Sequence, residues 1–296
     1  MAEVISMDQI KRLAIIALAS DDFLTETLVL KGGNAIDLLQ SKSGTKLSRT
    51  SYDLDFSIEE DFDADIEAIK LRIVKTFVTT FAEHELHVFD YQFSNRPKKI
   101  NEELKDFWGG YYITFKVISE EDFRRLEGNL EKMQRSAIAV RPNSSSRIEI
   151  EISKYEYIGG KIEIEIDGYS IYMYSPQMIV FEKLRAICQQ LPQYKEVIPS
   201  HSPRPRGRDF YDILLIYEQH DIDIITAQSL ETLRLIFETK KVPLSFIKEI
   251  PNHADIHQND WQNVKDTLPA SEQAELKPFD YYLDFVMQKF GNITFP

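Results

Sequence analysis

Apolar positions along the chain switch between two periods, and the switches mark out elements. Residues 6–20 repeat them at helical spacing, with Ser6 and Gln9 set as a capping box, which predicts an opening helix. Residues 27–30 predict a first strand, 34–40 a short helix, 41–51 a polar loop and 52–58 a second strand. A helix over about 63–83 follows, its acidic start suited to the positive end of the helix dipole. Alternation predicts strands over 85–93, 111–119 and 147–155, with a helix over 120–134 among them. Two further strands, 161–166 and 169–174, flank an Asp167-Gly168 hairpin turn. Ser175-Pro176 supplies a cap and a first-turn proline for a helix over 177–190. Beyond it the pattern is amphipathic and helical, notably over 229–240 and 279–290, where aromatic residues at helical spacing read as core. The whole predicts an α+β protein, with a mixed sheet and helices over 1–170 and a mainly helical part over 171–296.

Length and composition narrow the classes. A chain of 296 residues with 43% hydrophobic and 28% charged residues can bury one large or two modest cores. No apolar run approaches the roughly 20 residues that span a bilayer. The first nine residues lack a signal peptide's basic start and apolar centre, and a single cysteine, Cys188, forms no internal disulfide; both predict a cytoplasmic protein. The net charge of −13 excludes a surface that grips nucleic acid everywhere, but not a local basic strip. Such strips occur at Arg96-Pro97-Lys98-Lys99, at Lys183 with Arg185, and at Arg204-Pro205-Arg206-Gly207-Arg208. Asp61, Asp63 and Asp65 begin like a calcium loop, but Ile66 and Arg72 stand where it needs glycine and glutamate. His253 and His257, four apart, have no third ligand nearby in sequence, which makes zinc improbable.

The chemistry concentrates at Leu28-Val29-Leu30-Lys31-Gly32-Gly33-Asn34 and at Ser51-Tyr52-Asp53-Leu54-Asp55-Phe56. A Gly-Gly turn between a strand and a helix lets backbone N–H groups approach a phosphate, and the helix turns its positive end the same way. Asp53 and Asp55 fall on one face of a strand while Leu54 and Phe56 face the core. Paired hard oxygens beside a phosphate seat suit Mg²⁺. Taken separately, the glycines are an ordinary turn and the acids an ordinary solvated strand face.

Together these motifs resemble the AbiEii/AbiGii-type nucleotidyltransferase toxins, a branch of the DNA polymerase β-like superfamily. Lys31, Gly32, Gly33, Arg49, Ser51, Asp53 and Asp55 match a Lys-Gly-Gly turn followed by Arg, a gap, Ser, a gap and Asp-x-Asp. Asn34 stands where many polymerase β-like enzymes have serine. A second signature, Glu-Lys-Leu-x-Ala then Arg-Asp-x-x-Asp, is matched at Glu182 to Ala186 and at Arg208 to Asp212, so the resemblance covers most of 28–215. It implies transfer of a nucleoside monophosphate from an NTP, with release of pyrophosphate. Two Mg²⁺ ions would be held by Asp53, Asp55 and a third acid.

An Ile-Glu-Ile-Ser element favours Glu151 as that third acid. Glu149 points the same way, and Glu163 and Glu165 repeat the pattern, so a solvated strand face explains all four equally well. Lys31, Gly32, Gly33, Asn34, Arg49 and Ser51 are the expected nucleotide contacts, and Lys183 is expected to hold the triphosphate. Asp209, with Asp212 as its rival, is expected to position the triphosphate or a neighbouring residue. Singly, Lys183 reads as a surface lysine and Asp209 as a helix cap. Ser51, close to Asp53 in sequence, is a candidate for self-modification. By the same resemblance the protein is the toxin of a bacterial toxin–antitoxin or phage-defence system, with an antitoxin encoded nearby. Its acceptor is expected to be RNA such as the tRNA 3′ end, entering beside the 204–208 basic loop. Two alternatives are a protein or small-molecule acceptor, and a binding module of the same fold without chemistry.

Overall fold

Among the described residues seven strands form: β1 (Val29–Lys31), β2 (Leu54–Ser57), β3 (Leu86–Arg96), β4 (Gly110–Ser119), β5 (Ile148–Ser153), β6 (Lys161–Ile166) and β7 (Tyr169–Tyr174). In the computed structural model, which describes residues 5–43, 52–141, 145–268 and 270–294, they form one sheet in the order β3-β4-β5-β2-β1-β7-β6. The sheet is mixed. β1 runs antiparallel to β2 and parallel to β7, while β2 runs parallel to β5. The helices are α1 (Met7–Ala19), α2 (Asp22–Thr27), α3 (Gly32–Ser43), α4 (Ile66–Ala82), α5 (Glu120–Leu126), α6 (Leu130–Ser136), α7 (Pro176–Cys188), α8 (Gly207–Gln219) and α9 (Ala227–Glu238). Four more close the chain: α10 (Ala254–Gln258), α11 (Trp261–Asp266), α12 (Ala270–Glu275) and α13 (Phe279–Phe290). The architecture is the expected α+β class. Among the described residues no helix is long and apolar enough to cross a membrane.

The chain divides into two compact units. One comprises Met1–Asn34, Ser51–Ile158 and Ile162–Met173; the other comprises Ala35–Thr50, Gly159–Lys161 and Tyr174–Pro296. In the first, the two faces of the central strands have opposite fates. Leu54, Phe56, Ile148, Ile150 and Ile152 are buried, each contributing about 1.5–3 kcal/mol. The acids between them stay part-exposed. In the second, Phe210 packs on Phe279 and Tyr211 on Tyr282, so the aromatics of α13 are mostly core, with Tyr281 left exposed.

Local signals mark several boundaries. Ser6 and Gln9 close the capping box of α1, and Ser175 caps α7 ahead of Pro176. Asp167 and Gly168 both adopt positive φ, as a two-residue hairpin turn requires. Three expectations are revised. The helix expected over 120–134 is broken into α5 and α6, with Gly128 at φ +82 between them. The first strand starts at Val29 because Asp21 caps a short helix that runs through Thr27. Asp209 is not a helix cap: it is buried in the first turn of α8, whose cap position is Arg206.

Candidate active site

The glycine turn is built against one of the acids. β1 ends at Lys31, the register partner of Asp55 on β2. Gly32 then takes φ +68, and a Cβ placed on it would lie 2.6 Å from Asp55 Oδ2. Only glycine passes there without strain, because left-handed backbone disfavours other residues and the Asp55 carboxylate fills the space. α3 starts at this residue, so the electropositive end of a helix abuts Asp55. Asn34 donates its amide N–H to the Asp53 carbonyl oxygen at 2.5 Å and so fixes the backbone that carries the first acid. Lys31 is buried, its ammonium 3.3 Å from Glu156.

Register gathers the remaining carboxylates. Asp55 is the partner of Glu151 in the parallel β2–β5 pair, so the two side chains emerge on the same face. Glu163 and Glu165 lie on β6, at the edge of the sheet three strands beyond β2, whereas Glu149 and Glu151 lie on β5, which pairs with β2 directly. Two arginines cover the row. Arg141 pairs with Asp53 and, at 3.2 Å, with Glu149; Arg96 pairs with Glu151 and lies 5.0 Å over the Tyr112 ring. Tyr112 is the register partner of Glu151 on β4. Its phenol is pushed up to about 12, first by burial and then by its hydrogen bond to Glu149. Burial also raises the Asp53 carboxyl above the usual carboxylate range, with help from the Glu149 charge and against the pull of Arg141.

Asp53, Asp55 and Glu151 are hard oxygen donors of the kind Mg²⁺ takes, together with substrate phosphates. Among the described residues no three acidic, histidine or cysteine side chains are yet drawn together as a ligand cluster. Arg141 and Arg96 engage Asp53 and Glu151 separately.

In the second unit Lys183, on α7, is buried with its ammonium 2.8 Å from Asp209 and 2.7 Å from Asp212, both on α8. Arg206 reaches the other Asp209 oxygen at 3.3 Å. The surface-lysine reading of Lys183 therefore fails. His257 is fully buried beside this cluster, and burial pushes it down to about 4, against the pull of Asp209. Arg204 and Arg206 are exposed, but the basic segment expected as a loop over 204–208 is loop only as far as Arg206, since Gly207 and Arg208 already lie in the first turn of α8.

Arg49 and Ser51 lie outside the described residues. Arg141, Tyr112 and Glu156 were not foreseen, and Arg96 was foreseen only as one of a basic run. Arg141 meets Asp53 across 88 residues of sequence, and no local pattern announces such a partner.

Solved structures with similar folds include JHP933 from Helicobacter pylori, at 14% identity over 96% of this chain and 92% of that one, with a TM-score of 0.48. MenT4, a nucleotidyltransferase toxin from Mycobacterium tuberculosis H37Rv, is 14% identical over 82% of this chain and 64% of its own, with a TM-score of 0.41. An antigenic nucleotidyltransferase-like protein from Paracoccidioides brasiliensis is 15% identical over 78% and 93%, with a TM-score of 0.37. A search of curated proteins gives no match. The model of the family described as nucleotidyl transferase AbiEii toxin, type IV toxin–antitoxin system, matches residues 15–285, and the chain belongs to that family of nucleotidyltransferases.

Proposed function

We propose that this toxin transfers a nucleoside monophosphate from an NTP to RNA, such as the 3′ end of tRNA, at the carboxylate row of the first unit. The observation that carries the placement is the Asp55–Glu151 register beside the left-handed Gly32 at the start of α3. The acceptor hydroxyl oxygen bonds to the α-phosphorus, the bond from that phosphorus to the α–β bridging oxygen breaks, and pyrophosphate leaves with the electron pair. The hydroxyl proton goes to water. Asp53, Asp55 and Glu151 would hold two Mg²⁺ ions, which when bound lower the pKa of an attacking hydroxyl and neutralise the leaving pyrophosphate.

The chain's own groups do the rest. Gly32 and Gly33 seat phosphate against backbone N–H groups, and Asn34 keeps Asp53 in place. Arg141 and Arg96 offset the negative charge that the carboxylates and triphosphate bring together. Arg49 and Ser51 complete the nucleotide contacts by resemblance. We assign Lys183, Asp209 and Asp212 a positioning role, since the two aspartates hold the lysine ammonium on both sides. The antitoxin of the system is the natural protein counterpart.

The test is incubation of wild type and Asp53→Ala/Asp55→Ala with each labelled NTP, Mg²⁺ and total bacterial RNA, resolved on a denaturing gel. Label in a tRNA-sized band with wild type alone is the expected result. Label on protein, or pyrophosphate without labelled RNA, would reject the RNA acceptor; label with the double variant would reject the site.

A further inference from the structure

A groove of about 420 Å³ opens where β3 runs out at Arg96, β4 begins at Gly110 and β5 gives way to Lys154. It lies wholly in the first unit. Four cationic side chains line it, Arg96, Lys98, Lys105 and Lys154, against two acids, Asp61 and Asp106; Lys105 also makes an exposed, exchangeable pair with Glu102 at 2.6 Å. That sign is opposite to the −13 of the whole chain. Part-exposed Trp108 and Tyr155 add ring surface. Lys154 pairs with Asp61 at 2.6 Å and lies 5.4 Å over the rings of both Tyr111 and Tyr155. The base of the groove is bare backbone at Gly110, where a Cβ would stand 2.1 Å from the Ile152 carbonyl oxygen.

The groove touches the carboxylate row. On β5, Glu151 faces Tyr112 and Ser153 faces Gly110, so groove and third acid are separated by two residues, about 7 Å of strand. Arg96 belongs to both, lining the groove while pairing with Glu151. Cations that grip a backbone, interleaved with rings that accept bases, are what single-stranded nucleic acid requires. An acidic peptide would use the cations and leave the rings idle. With the whole chain at −13, RNA is favoured at local basic strips such as this one rather than over the surface at large.

We propose that this groove holds the single-stranded end of the acceptor RNA, with phosphates on Lys98 and Lys105 and a base against Trp108 and Tyr155. The assignment rests on the RNA-acceptor reading above. A fluorescein-labelled RNA hexamer titrated by anisotropy tests it on the full chain. Lys98→Ala/Lys105→Ala changes two exposed side chains, and a thermal melt checks its fold. It should weaken the hexamer about tenfold and reduce the slope of log affinity against log salt by about 1.4. Trp108→Ala should weaken the hexamer about fivefold with the slope kept. If wild type labels RNA with NTP while the folded double variant binds the hexamer as tightly and with the same slope, the groove is overturned and the acceptor reading stands. If wild type labels no RNA, the acceptor reading falls and the groove with it. If hexaglutamate binding is lost in the double variant while the RNA hexamer is unaffected, the groove belongs to an acidic protein segment instead.

Discussion

Acids meet cations in both units, under opposite conditions. In the carboxylate row the Asp53 side chain is 46% exposed, Glu151 38% and Arg96 50%, with Arg141 and Glu149 at 24%; in the Lys183 cluster no value for the lysine or its two aspartates exceeds 8%. Exposed pairs are screened by water and contribute about 0–1 kcal/mol, so they exchange partners at little cost. A buried pair that loses one member strands the other and costs about 3–5 kcal/mol. The difference is one of exchangeability: the first set can trade arginine for another partner at little cost, and the second ties α7 to α8.

The sharpest break in that comparison is Lys183→Ala, which removes the buried ammonium that Asp209 and Asp212 share. It should lower unfolding free energy by about 3–5 kcal/mol in a denaturant titration, whereas Asp53→Ala should change it by no more than about 1 kcal/mol. Next comes pH. His257 takes its proton near 6.5 when unfolded but only at about 4 in the folded chain. Folded stability is therefore complete above about 6.5 and falls by about 3 kcal/mol as pH drops to about 4. His257→Gln should remove that part of the slope in pH-dependent melts.

Within the row, Glu151→Gln should slow transfer about thirtyfold, about 2 kcal/mol on the barrier, and Glu149→Gln distinctly less. Equal rate losses would share the third-acid role between them. The smallest effect is that of Gly32→Ala, whose positive φ costs about 1–2 kcal/mol of stability. Because the new methyl meets Asp55, transfer should fall with it, and a melt with a rate measurement checks both.

What the sequence made legible was what depends on near neighbours. The alternation of Leu54, Asp55 and Phe56 sorts acid from core because side chains on a strand alternate faces, while Asp53, expected on the same strand, sits in a bend one residue ahead of β2. The Asp167-Gly168 turn and the Ser6 and Ser175 caps are equally local. Gly128 was present but did not announce that a helix would stop there rather than continue at modest cost. The pairing of β2 with β5 lies beyond such signals, because it joins residues almost a hundred apart. Periodicity alone left four glutamates level, and only the strand order set Glu163 and Glu165 aside. Burial of Lys183 was equally hidden, since the acids that hold it lie 26 and 29 residues away on another helix.

The most direct test of the division between exchangeable and architectural pairs is metal binding. Mn²⁺ would be titrated into the protein with a non-hydrolysable NTP analogue, and free Mn²⁺ read by electron paramagnetic resonance. Wild type should withdraw Mn²⁺ from solution and Asp53→Ala/Asp55→Ala should not, while Asp212→Asn, at a temperature where it is folded, should still do so. Mn²⁺ uptake undiminished in the double variant, or abolished in the folded Asp212→Asn, would contradict the account.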